Sequence, residues 1–221
     1  MERNIDMNEI SNGKKYQRDD LVRIGCNDCK GCSYCCESMG DTIFLDPYDI
    51  FNLCKGLSLS FDALCDKFID FTVVDGIVQP HIKLSGEKNA CGFLSDAGRC
   101  TIHSFRPGFC RLFPLGRIYE NDSFAYFIQT HECPYPSKSK VKIKSWLGID
   151  NLPEYERYIN SWHYFLKDMQ GVLKESDDED MARNMSLVII RFFYRRPYDI
   201  SQDFYPQFYN RLESFKNLLG I

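Results

Sequence analysis

The strongest constraint on this chain is a run of cysteines at a short, fixed spacing. Cys26 and then Cys29-Lys-Gly-Cys32-Ser-Tyr-Cys35-Cys36 place five thiols within eleven residues, with C-x2-C-x2-C-C as the core pattern. Two intervening residues let a loop or helical turn bring successive sulfurs around one small object. Zinc accepts thiolates in tetrahedral sites, and iron–sulfur clusters accept the same ligand type. Inert buried thiols do not account for such density. A disulfide framework fits poorly, because the total of 11 cysteines is odd and Cys35 and Cys36 are adjacent. The opening MERNIDMNEISNGKK lacks the apolar core of a signal peptide. A cytoplasmic location, where thiols stay reduced, is therefore expected.

A second cysteine region reads CGFLSDAGRCTIHSFRPGFCRLFP, from Cys91 through Cys100 and Cys110 to Pro114. Phe93, Leu94, Ile102, Phe105, Phe109 and Phe113 surround these thiols with apolar bulk, the kind of dry shell that protects a cluster and tunes its potential. Pro107 can start a helical turn carrying Cys110, and Pro114 limits it. Arg106 and Arg111 bracket Cys110. Four thiolates around zinc(II) or a cluster core leave net negative charge, which guanidinium groups can offset. Ordinary ion pairing would explain them equally. Cys133-Pro134 echoes the Cys-Pro that ends a ferredoxin run. His103 reads as a packed or supporting residue rather than a ligand. Cys54 and Cys65 lie on helical apolar faces and read as small core residues. The role of Cys26 is left open.

Composition narrows the rest. Hydrophobic residues at 44% and charged residues at 26% suit a globular protein, and a net charge of -4 does not supply the basic surface that nucleic acid requires. No apolar run is long enough to span a bilayer. Residues 1–24 read as a flexible N-terminal arm. Asp46-Pro47 should open a helix that Gly56 ends, and Ser60 should cap a second one. Asp75-Gly76, between two β-rich runs, predicts a hairpin. Phe124–Gln129 reads as a strand. The alternating lysines 138, 140, 142 and 144 read as a solvated linker or edge strand. From Pro153 the pattern is helical, with further helices from about 177 and over about 205–218. The expected architecture is α+β: a metal-binding domain at 25–137 with little sheet, and a helical region at 138–221 packed on it.

Taken together, Cys29–Cys36, the Asp-Pro helix start, the Asp-Gly hairpin and RPGFCRLFP resemble the YkgJ-type cysteine-cluster family, described as zinc- or iron-chelating. The resemblance runs from about residue 25 to 135. It implies Cys29, Cys32, Cys35, Cys36, Cys91, Cys100 and Cys110 as metal-site residues, with Cys133 as an addition. Flagellin lysine N-methylase looks similar over the same domain and is associated with a four-iron cluster, which favours a 4Fe-4S iron–sulfur centre, with zinc as the alternative. The thiols could form one site with spare cysteines or two sites.

Three functions follow. The first is an iron–sulfur protein with a redox or protein-modification and maturation accessory role. The second is a structural zinc protein that binds partners. The third is a lysine N-methylase-like enzyme in which Tyr155, Trp162, Tyr164 and Tyr194 line a pocket for a methylated amine, although core packing explains those aromatics as well. Expected partners are a protein substrate or a redox partner, with neither nucleic acid nor membrane. No zincin motif or nucleophile elbow is present.

Overall fold

The computed structural model describes residues 7–26, 32–37, 42–86, 89–175 and 179–220. Its elements run α1 (Met7–Ile10), β1 (Leu21–Gly25), α2 (Pro47–Leu57), α3 (Phe61–Phe68), β2 (Ile69–Val74), β3 (Ile77–Ile82), β4 (Leu84–Ser85) and β5 (Ala90–Cys91). They continue with α4 (Gly108–Leu112), β6 (Leu115–Glu120), β7 (Ser123–Ile128), β8 (Ser139–Lys142), α5 (Ile143–Leu147), α6 (Leu152–Lys174), α7 (Glu179–Ile189) and α8 (Phe204–Leu219). The strands form four two-stranded antiparallel sheets, β1-β8, β2-β3, β4-β5 and β6-β7. The fold is α+β with a helical C-terminal region.

Local chemistry explains these elements. Asp46 caps α2 by accepting the Asp49 amide, while the Asp49 side chain accepts the Asp46 amide, and Pro47 fills the first turn. Ser60 caps α3 by accepting the Ala63 amide. Asp75 and Gly76 both take positive φ, as a two-residue hairpin between β2 and β3 requires. Asn121 and Asp122 turn β6 into β7 in the same way. The sequence signals for β7 were readable, whereas its partner β6 was not.

Two expectations are corrected. Gly56 does not end α2; the helix continues to Leu57, and Ser58 takes the left-handed capping conformation. Gly56 instead permits close packing, because a Cβ there would lie 2.6 Å from the Phe105 ring. The described part of the N-terminal segment is not a loose arm. β1 pairs with β8, Val22 and Ile24 are buried, and Tyr16 exchanges two backbone hydrogen bonds with Tyr126. Burial of alternate β1 residues and recovery of backbone pairing outweigh the polar composition that suggested a tail.

One hydrophobic cluster joins both halves of the chain. It runs from Val22 and Ile24 through Leu53, Leu64 and Ile82 to Tyr158, Phe193, Phe208 and Phe215. Tyr155, Trp162 and Tyr194 lie inside it, each almost fully buried. α6 presents Tyr155, Tyr158, Ile159, Trp162, Phe165 and Met169 to this core. After α7, a π-helical segment (Ile190–Arg195) places Phe193 and Tyr194 against the same cluster. Among the described residues no helix is long and apolar enough to cross a membrane.

Candidate metal centre

Three short segments carry the cysteines that come together. The first is a 3-10 turn, Tyr34–Cys36, closed by the Cys36 amide on the Ser33 carbonyl at 2.7 Å. Glu37 immediately after it forms a β-bridge with Ala90, which sets Cys35 and Cys36 beside Cys91 at the end of β5. The second segment is a loop from Cys91 that doubles back at Gly98, φ 69°, so that Leu94 bridges Cys100. Phe93 anchors this loop: it is buried, stacks on Phe68 with centroids 4.3 Å apart, and its carbonyl accepts both the amide and the hydroxyl of Thr101. The third is α4, which carries Cys110.

The thiols of Cys35, Cys36, Cys91, Cys100 and Cys110 lie within one another's electrostatic reach. The Cys36 thiol donates to the Cys35 sulfur and brings Cys35 down to about 7, helped by the Arg106 guanidinium. The same bond, then burial, pushes Cys36 up. Burial raises Cys91 and Cys100, although the amides of Phe93 and Ile102 point at their sulfurs. Cys110 is held well above the ordinary thiol value by burial first and then by the neighbouring cysteines. Such a group resists carrying several negative charges unless a cation joins it. A bound metal supplies that charge and deprotonates its ligands.

Two arginines flank the group in different ways. Arg106 faces Cys35 and Cys100, and its buried Nε has no hydrogen-bond partner among the described residues. Arg106 also meets His103 Nε2, so that ring nitrogen is engaged by a guanidinium. Arg111 acts as a clamp. It donates to the carbonyls of Ser104 and Arg106 at 2.6 and 3.1 Å, and to those of Leu147 and Gly148 at 3.4 and 3.3 Å. It therefore ties α4 to the end of α5.

Sequence reading missed the support beneath α4. The Asp49 carboxylate accepts the Gly108 amide at 2.8 Å, across 59 residues, as well as the Asp46 amide at 3.2 Å. Burial, and then the Asp46 carboxylate, hold Asp49 well above the usual carboxylate range. Gly108 has no room for a side chain, since a Cβ would stand 2.3 Å from the Tyr155 hydroxyl. The capping box was legible in Asp46-x-x-Asp49, but its second use, as the acceptor that seats α4, had no local signal.

The remaining candidates stand apart from this description. Cys29 lies outside the described residues. Cys32 is half-buried, and nothing among the described interactions ties it to the five thiols. Cys133 follows β7, and its carbonyl accepts a bond from Lys138 at 2.8 Å. Cys26 is buried at the end of β1. Burial raises Cys54 and Cys65 to about 11, and both pack against the core. As the side chains lie, no three His, Cys, Asp or Glu among the described residues close on a single ion.

The donor set nonetheless fits a thiolate-bound metal: soft sulfur ligands, backbone amides directed at sulfur, an arginine with an unused buried donor, and an aromatic surround. No curated protein and no solved structure gives a significant match to the chain. Residues 28–134, which contain all five clustered thiols, match the family CxxCxxCC, whose description reads "Putative zinc- or iron-chelating domain".

Proposed function

We propose that this protein binds an iron–sulfur cluster through cysteines drawn from Cys29, Cys32, Cys35, Cys36, Cys91, Cys100, Cys110 and Cys133. The observation that carries the reading is the convergence of Cys35, Cys36, Cys91, Cys100 and Cys110 into one electrostatic neighbourhood. These thiols exceed by one the four that either a structural zinc or a four-iron cluster takes up, so their number suits both metals. Iron–sulfur centres share the ligand type and gain from the apolar bulk of the stacked Phe68 and Phe93, whereas Phe109, expected in that shell, is exposed. When bound, such a cluster supplies reversible one-electron transfer. The chain's own residues hold the sulfurs, and the Phe93 and Ile102 amides and Arg106 offset their charge. The role that follows is redox support of a partner, including a protein-modification or maturation reaction.

The methylated-amine pocket finds no support in the packing. Tyr155, Trp162 and Tyr194 are core residues, 1%, 5% and 3% exposed, and the half-buried Tyr164 packs edge-on against Tyr119 and His163. The reading is tested by iron, zinc and acid-labile sulfide analysis, with a visible spectrum, on protein purified without oxygen. Iron and sulfide in similar amounts are expected. A colourless protein holding only zinc would overturn the iron–sulfur assignment and leave a structural metal site.

A further inference from the structure

The β1-β8 ribbon carries a charge pattern that the metal centre does not use. Its inner face is apolar, with Val22 opposite Val141. Its outer face presents Leu21, Arg23, Lys140 and Lys142, all exposed. Arg23 lies directly opposite Lys140. Like charges in cross-strand pairs are destabilising, so this pairing costs the free protein stability. Among the described residues neither Arg23, Lys140 nor Lys142 forms an ion pair within bonding distance; the nearby Asp19 is taken by Lys144 at 2.7 Å.

The register also leaves a backbone edge. The Ile143 amide bonds the Asp20 carbonyl, which makes Leu21 and Lys142 a non-hydrogen-bonded pair. The amides of Lys140 and Lys142 consequently point away from β1, along the outer edge of β8. An open cleft of about 610 Å³ lies at the start of this edge, lined by Arg23, Tyr135, Ser137, Lys138 and Ser139. Edge amides and cationic side chains at alternate positions thus belong to the same four-residue strand, with a polar cleft at its start.

We propose that the outer edge of β8 receives an extended acidic segment of a partner protein, added as a third strand. Its acidic residues stand at alternate positions, opposite Lys140 and Lys142, and an adjoining polar residue enters the cleft by Tyr135. Strand addition supplies affinity through main-chain bonds and selectivity through alternate side chains. The cationic stretch is four residues long, roughly 13 Å. It matches a short acidic segment rather than a nucleic acid, which would extend over a chain of net charge -4. The competing explanation is that the lysines merely block edge pairing.

The test uses the full-length protein and a fluorescein-labelled ten-residue peptide with glutamate at alternate positions, followed by anisotropy at low salt. Saturable binding is expected. It should weaken about tenfold or more in Lys140→Glu/Lys142→Glu, to an intermediate degree in Lys140→Gln/Lys142→Gln, and by about tenfold as salt rises toward 0.5 M. An alternating-lysine peptide should not bind. The idea is overturned by absence of binding up to about 1 mM peptide, by unchanged binding in the glutamate variant, or by tighter binding of a single-stranded oligonucleotide of equal charge. Neither lysine is among the clustered thiols, so the outcome is independent of metal identity.

Discussion

Replacing Asp49 by alanine tests whether α4 is seated by a buried carboxyl. The change removes the acceptor of the Gly108 amide at 2.8 Å and of the Asp46 amide at 3.2 Å. Loss of its half of the capping box costs about 1 kcal/mol, and an orphaned buried amide costs about 1–3 kcal/mol. Removing a carboxyl that burial and Asp46 both disfavour returns part of this. A net loss of about 2 kcal/mol follows, or roughly 4–8 °C in melting temperature for a chain of this size. The loss should also depend on pH. Asp49 is raised on folding, so the native state holds its proton more tightly than the unfolded chain. Its contribution is complete below the unfolded value of about 3.9 and declines as pH rises toward the folded value. Urea unfolding of wild type and Asp49→Ala, at matched metal content, should therefore show a stability gap wider at about pH 5 than at about pH 8. Asp49→Asn keeps one acceptor oxygen and should show a smaller gap, which still narrows as pH rises because the titrating carboxyl is the wild type's. A gap below about 0.5 kcal/mol, or one that widens with pH, would refute the reasoning.

Other substitutions probe neighbouring parts of the centre. Cys110→Ala and Cys91→Ala should each lower metal affinity at least as much as the roughly 10–100-fold that losing a supporting residue costs, while Cys54→Ala leaves metal content nearly intact; elemental analysis of the purified variants decides. Arg106→Ala removes the cation facing Cys35 and Cys100 and should lower the reduction potential of the loaded protein, read by a dye titration, because the reduced cluster is the more negative form. Gly108→Ala forces a Cβ against the Tyr155 hydroxyl and should destabilise by about 1–3 kcal/mol. Adding Tyr155→Phe should restore part of that loss in denaturant unfolding, since contacting residues are not additive.

Much of this fold was legible because its signals are local. Asp46-Pro47, Ser60 and Asp75-Gly76 each fix backbone conformation within a few residues, and the elements follow them. The long apolar face of α6 was equally readable. What escaped was set by distant partners. β1 is a five-residue run, LVRIG, at the end of a polar segment, and its partner β8 lies more than a hundred residues later. Gly56 looks like a helix stop, yet the Phe105 ring explains its small size. The cysteine spacing marked the candidate centre and helical periodicity set Cys54 and Cys65 apart in the core, but neither could show that Cys35, Cys36, Cys91, Cys100 and Cys110 converge. Nor could it assign Arg106 to the thiols and Arg111 to backbone carbonyls, since that difference depends on where α5 ends.

The most direct test of the metal reading is X-ray absorption at the metal edge on protein purified without oxygen. The account predicts an all-sulfur inner shell at about 2.3 Å, with a neighbouring iron shell beyond it, and loss of both in Cys91→Ala. An inner shell dominated by nitrogen or oxygen, or a sulfur shell unchanged in Cys91→Ala, would contradict it.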